Sequence, residues 1–258
     1  MIPKIIGVVH LLPLPGSPAY GGSMDGVLTR ALDDCRAYNE GGVEGVIIEN
    51  FGDVPFSAGM VASVTVAAMT RAAAELKREF PNLQFGVNVL RNDAESALSI
   101  AYVVGADFVR VNVHVGAVVA DQGIIQGKAY ETIRLRRNLG STVQILADID
   151  VKHSAQIGNY DIKVQAADAL ERGLADAIVI SGSRTGQAVD IEQLRQLRRE
   201  FRDANIVIGS GANSRNLKLL LKYANSVIVG TSVKKDGKTS NPVDLGRLKE
   251  FMKAAGTR

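Results

Sequence analysis

The densest group of chemically capable side chains in this 258-residue chain is Asp148-Ile-Asp-Val-Lys-His153, two carboxylates, an amine and an imidazole in one short run. A carboxylate near a cation stays ionised, a neighbouring lysine steadies developing negative charge, and a histidine, with an ordinary pKa of about 6.5, passes protons near working pH. Asp148 is therefore expected to act as a base or a metal ligand, with His153 or His10 as the acid. Lys152 or Arg110 would meet negative charge as it develops. Glu49, His114, Asp148 and His153 together make an alternative set of N and O ligands for a divalent metal. No HxH or HExxH spacing supports that alternative, and no other cofactor is called for. A buried salt-bridge network that only shapes the fold is the competing reading of the same residues.

A second group lies later in the chain. The apolar runs AIVISGSRTG (177–186), IVIGSGANS (206–214) and VIVGTSVKKDG (227–237) each end in small residues. A strand that stops at such a turn leaves backbone N–H groups free at the start of the next helix, which favours a phosphate. Ser181, Gly182, Gly209, Ser210, Gly211, Gly230, Thr231 and Ser232 are the expected phosphate ligands, with hydroxyls of Ser183 and Thr185 in reserve. The lysines of 233–238 either close over the anion or are solvated.

The elements that must carry these groups follow from pattern. Short β-branched runs near 4–9, 44–49, 84–89, 107–113, 143–149, 176–181, 205–209 and 226–230 alternate with helical stretches near 25–40, 60–79, 93–104, 128–138, 161–172, 190–202, 214–223 and 243–254. Eight strand–helix units over this length predict a single-domain (β/α)8 TIM barrel of phosphate-binding type, spanning 1–258; a doubly wound sheet is the alternative. Gly41-Gly42, Gly105, Gly140 and Gly173 fall where helices should stop, and Asn241-Pro242-Val243-Asp244 reads as an N-cap, a first-turn proline and a first-turn acid. The connections after strands 1, 2, 4 and 5 are long, and in a barrel they share the face that holds active sites.

Strand residues alternate between barrel interior and helix layer. Val109, Val111 and Val113 then face the helices, whereas Arg110, Asn112 and His114 face inward. Asp148 and Asp150 share the inward parity of their strand. Asn88, Glu49-Asn50 and His10 end strands 3, 2 and 1. Strands 1 to 5 thus bring ionisable groups to the mouth, and strands 6 to 8 bring only small ones.

Composition bounds the rest. With 30 Lys+Arg against 27 Asp+Glu, the net charge of +3 is slight. The basic runs at 134–139 and 195–202 have helical spacing and read as solvated faces, with no aromatic interleaving to suit nucleic acid. No apolar stretch approaches ~20 residues, so no transmembrane segment is expected. MIPKIIGVVH lacks a signal-peptide n-region, and the one cysteine, Cys35, sits in a helical pattern. A cytoplasmic protein is the expectation, with peripheral membrane association and a homo-oligomer left open by the apolar loops HLLPLPGSP and GAVVA.

The chain resembles the BtpA/SgcQ family of TIM-barrel proteins over nearly its whole length. The resemblance rests on IGVVHLLPLPGSP (6–18), IIENFGDVPF (47–56), GVNVLRNDAESAL (86–98), ADFVRVNV (106–113), DQGIIQG (121–127), ILADIDVKHS (145–154), ERGLADAIVISGSRTG (171–186), IGSGA (208–212) and DGKTSNPVD (236–244). It implies recurring polar positions at His10, Glu49, Asn50, Asn88, Arg91, Asn92, Asp93, Arg110, Asn112, Asp148, Lys152 and His153. His114 is less characteristic, and SGSRTG stands where some relatives place an aromatic. The family takes its name from a photosystem I biogenesis factor, yet its members extend to organisms without photosystems. Two functions follow. One is an isomerase, lyase or hydrolase acting on a phosphorylated sugar or nucleotide-like metabolite. The other is a photosystem I assembly or stability factor with a vestigial site.

Overall fold

The computed structural model describes residues 1–151, 154–157, 161–182 and 189–256. Among them, eight parallel strands close into a barrel: β1 (Ile5–His10), β2 (Gly45–Glu49), β3 (Gln84–Asn88), β4 (Phe108–Val111), β5 (Gln144–Ile149), β6 (Ala177–Ile180), β7 (Ile206–Ile208) and β8 (Ser226–Val229). Each is hydrogen-bonded to its sequence neighbours, and β8 closes onto β1 through Ile5↔Val227 and Gly7↔Val229. The helices between and after them are α1 (Met24–Glu40), α2 (Ser63–Glu79), α3 (Ala94–Val104), α4 (Ala129–Asn138), α5 (Ile162–Ala167), α6 (Ile191–Glu200), α7 (Leu217–Leu220) and α8 (Leu245–Ala254). The wide turn Asp168–Arg172 prolongs α5. This is the expected single-domain (β/α)8 fold.

Two apolar layers result from strand alternation. Val9, Val46, Ile48, Val87, Val109, Val111 and Ile145 pack outward against the helices. Ile6, Val8, Ile47, Phe108, Leu146, Val179, Val207 and Ile228 fill the barrel axis. Gly86 is needed there, since a Cβ at that position would collide with the Phe108 ring. Above this floor the same inward parity continues into His10, Glu49, Asn88, Arg110 and Asp148, so the core gives way to a polar layer at the C-terminal ends of the strands.

The long connection after β4 is not a loop. Ala117–Ala120 and Gly123–Gln126 form an antiparallel hairpin, and Ser154–Gln156, from the connection after β5, pairs with its first strand. Val113, Val118, Ile125 and Val151 make a small core beneath this sheet.

Some local expectations are corrected. Gly105 and Gly140 have the left-handed φ of a helix stop (+69° and +61°), but Gly173 does not, and Leu174 takes that role at +52°. Gly173 is required instead by crowding, because a Cβ there would lie 2.7 Å from Val115 Cγ1. The last helix is capped by Asp244 itself, which accepts from the Arg247 N–H at 3.0 Å. Val243, one residue earlier, bridges to Lys234 in extended pairing. Asp244 carries the cap because its short side chain reaches the free N–H groups of the first turn.

Candidate active site

The polar layer is organised by one arginine. Arg110 Nε and Nη2 donate to the two Asp148 oxygens at 2.8 and 2.9 Å, and its Nη1 lies 3.5 Å from Glu49 Oε1. Asn112 Nδ2 donates to Asp148 Oδ2 at 2.9 Å, and Asn88 Nδ2 donates to Glu49 Oε1 at 3.1 Å. His10 Nε2 is 3.9 Å from Glu49 Oε2, and its ring meets Phe51 edge to face with centroids 4.8 Å apart. Arg110, Glu49, Asn88, Asn112 and Asp148 are all buried. Burial pulls the Arg110 guanidinium down, but the paired Asp148 and Glu49 carboxylates more than offset it and hold its pKa above the ordinary value.

Asp148 and Glu49 are not equivalent. Asp148 accepts three hydrogen bonds from Arg110 and Asn112 and lines the small space beneath the antiparallel sheet. Glu49 accepts one such bond and lines two larger cavities that meet at Glu49, Phe51 and Arg110. The first, about 250 Å³, is bounded by His10 and by the turns 209–213 and 230–232. The second, about 400 Å³, is bounded by Phe56, Asn88, Leu90, Arg91, Asn112 and the hairpin tip Asp121–Gln122.

The expected phosphate turns therefore face the carboxylate–histidine pair across one cleft. Ser232 Oγ donates to Ala212 O at 2.8 Å, tying the turn after β8 to the turn after β7. Thr231 and Thr239 share a hydrogen bond of 2.9 Å between their hydroxyls. Ser181 and Ser210 hold buried hydroxyls with no partner among the described residues. The backbone N–H groups of Ser210, Gly211, Thr231 and Ser232 donate to nothing among those residues either. Two of the glycines have a further purpose. A Cβ on Gly209 would come within 2.9 Å of Arg110 Nη2, and one on Gly230 within 2.9 Å of His10 Cε1. The small residues of one half of the mouth thus make room for the long polar residues of the other.

Several expectations fail in position. His114 does not reach the mouth. Regular strand geometry ends at Val111, and His114 Nε2 bonds to Gly173 O at 2.8 Å on the helix side of the barrel. Burial lowers its pKa, partly offset by the Gly173 carbonyl. Lys234 neither closes over an anion nor meets solvent, for it is fully buried and donates to Asp34 Oδ2 at 2.7 Å. Lys235 and Lys238 are exposed. Asp150, of inward parity on paper, is exposed where the chain turns at φ +55°. Asn50, Asn92 and Asp93 act structurally. Asn50 exchanges hydrogen bonds with the Leu90 backbone, Asn92 does the same with Val113, and Asp93 caps α3. Lys152, His153, Ser183 and Thr185 lie outside the described residues. Among the described residues no three His, Cys, Asp or Glu side chains converge as a metal site, and Arg110 contacts both Glu49 and Asp148; His153 of the candidate metal set lies outside those residues. Phe51, Phe56 and Thr239 are additions to the sequence-based set; FGDVPF, one residue beyond β2, is the signal for the two aromatics, and Thr239 has none.

Comparison with known proteins agrees with this architecture. The model of the BtpA family matches residues 2–257. A protein of Methanocaldococcus jannaschii is 46% identical over 97% of this chain and 94% of its own length. The photosystem I biogenesis protein BtpA of Synechocystis is 44% identical over 97% of this chain and 87% of its own. Among solved structures, N-(5'-phosphoribosyl)anthranilate isomerase from Pyrococcus furiosus superposes with a TM-score of 0.61 at 11% identity, covering 98% of both chains. Thiamine phosphate pyrophosphorylase from Pyrococcus furiosus does so with a TM-score of 0.60 at 14% identity, covering 98% of this chain and 95% of its own. At these identities the likeness is one of fold.

Proposed function

The chain belongs to the BtpA family, and from that membership and the geometry of the mouth we propose that it is an enzyme acting on a small phosphorylated metabolite. One observation carries the reading: the pair His10–Glu49 and the small-residue turns 209–213 and 230–232 line the same cavity. Backbone N–H groups and the Ser210 hydroxyl take the phosphate, as turns after the last two strands do in many barrels. Glu49 acts as the general base, because its Oε2 is not among the acceptors of the network, and His10 beside it carries the proton. Arg110 steadies negative charge that develops between them, and Asp148 with Asn112 holds Arg110 in place. Lys152 and His153, next along from Asp148, remain candidates for a second acid. Solved barrels of like fold bear the names of enzymes with phosphorylated substrates, which supports this class of ligand. No helix among the described residues is long and apolar enough to cross a membrane.

A thermal-shift screen of phosphorylated metabolites, with inorganic phosphate as reference, tests the reading. Phosphate and at least one ester are expected to raise Tm by mass action. Turnover of the stabilising ester is expected to fall by a factor of about 10²–10⁴ in Glu49→Gln. The proposal is abandoned if no phosphorylated compound shifts Tm and no anion binds at residues 210–211 and 231–232.

The name of the Synechocystis relative favours a second reading, a factor for photosystem I assembly. The apolar residues Val54, Met60, Val119 and Ile124, exposed on the connections after β2 and β4, would serve as its docking surface. Relatives in Methanocaldococcus jannaschii and Caenorhabditis elegans favour a role independent of photosystems. Full biological activity of an Asp148→Asn, Glu49→Gln double variant would select this second reading over catalysis.

A further inference from the structure

The second cavity of the mouth lacks the small-residue turns assigned to the phosphate, although Arg91 and Arg110 stand on its wall. It is the larger of the two, and its walls combine two half-buried aromatic rings, Phe51 and Phe56, with Leu90 and Val54. Its floor holds Asn88 and Asn112, whose amide nitrogens are both turned away toward carboxylates. That fixes the two amide oxygens, and neither has a donor among the described residues. Buried acceptors without donors are costly unless something supplies the missing hydrogen. Aromatic faces recognise flat rings, and paired acceptors recognise hydroxyl or N–H donors.

Resting on the phosphate reading above, we propose that the substrate is a sugar phosphate that carries a planar ring. The phosphate sits at the turns after β7 and β8, the sugar spans the junction at Glu49 and Arg110, and the ring enters the cavity lined by Phe51 and Phe56. Sugar hydroxyls or ring N–H groups donate to Asn88 Oδ1 and Asn112 Oδ1. Glu49 at the junction then faces the sugar, with His10 beside it on the phosphate side, which places the proton transfer on a sugar carbon or oxygen. A simple sugar phosphate would leave the larger cavity empty.

Calorimetric titration of the whole protein with inorganic phosphate, ribose 5-phosphate, uridine 5'-monophosphate and uridine separates the possibilities. Affinity is expected to rise in the order phosphate, ribose 5-phosphate, nucleotide, the ring adding about tenfold, as one stacked base does. Phe56→Ala is expected to remove that tenfold while leaving phosphate and ribose 5-phosphate binding unchanged, which also shows that the variant is folded. Equal affinity for ribose 5-phosphate and the nucleotide, or a ring increment that survives Phe56→Ala, overturns the inference and leaves the phosphate reading standing. Binding of uridine without any binding of phosphate overturns both.

Discussion

Arg110 of β4 is joined to Asp148 of β5 by two hydrogen bonds of 2.8 and 2.9 Å, while its remaining nitrogen lies 3.5 Å from Glu49 of β2. One cation is therefore shared by two buried carboxylates from strands on either side of it. Removing it strands both. Arg110→Met is expected to cost about 3–5 kcal/mol, the usual penalty for breaking a buried pair from one side. Arg110→Lys recovers only part of this, since a lysine cannot form the two-pronged contact. Urea unfolding of the three proteins checks it; a methionine variant within 1 kcal/mol of the parent would show that the carboxylates simply take up protons.

The second buried pair predicts a link between stability and binding. Lys234 directly follows the turn 231–233, and its partner Asp34 also accepts from the Val243 N–H at 2.7 Å. Lys234→Met leaves Asp34 with the Arg30 contact at 3.4 Å and one backbone donor. A loss of about 3 kcal/mol is expected, accompanied by weaker phosphate binding because the turn after β8 loses its anchor. Unchanged phosphate affinity in a destabilised variant would uncouple the two.

His114 gives a pH dependence with a definite sign. Its pKa is lowered from the ordinary 6.5 by burial, so the folded protein binds this proton less readily than the unfolded chain. Its contribution is present in full above that value and is lost as pH falls through and below it. Stability should fall as pH drops below about 6.5, and His114→Gln should flatten that part of the profile. Identical slopes for variant and parent in chemical denaturation at each pH would assign the dependence to other groups.

Gly230→Ala tests the fit between the two halves of the mouth. The added methyl would stand 2.9 Å from His10 Cε1, a ring that can rotate away. The fold is expected to survive and turnover to drop about tenfold or more, since small misplacements of a catalytic group are costly. Normal turnover would remove His10 from the reaction.

The barrel was legible because its strands are β-branched runs that alternate with helical patterns, and because inward parity picks out His10, Glu49, Asn88, Arg110 and Asp148 without reference to any contact. Three features were not. The antiparallel sheet is built from strands of three or four residues, and its edge strand 154–156 comes from a different connection, so no local period announces it. His114 has the inward parity, but parity holds only while the strand lasts, and β4 stops at Val111. Lys234 looked like a surface lysine because its partner, Asp34, is 200 positions away in the chain. The roles of Asn50, Asn92 and Asp93 escaped for a related reason: a polar side chain that bonds to loop backbone has the same sequence signature as one that meets a ligand.

The split of the mouth between β1–β5 and β6–β8 bears on how such a chain can diversify. Residues that would hold the phosphate and residues that would react occupy separate stretches of sequence, and Gly209 and Gly230 yield space between them to Arg110 and His10. Substitutions in the connections after β2 and β4 can therefore alter which ligand fits the second cavity while the anchoring turns are inherited intact. Descendants that keep the two glycines are free to explore new reactions, and those that lose them must rebuild the opposite wall first.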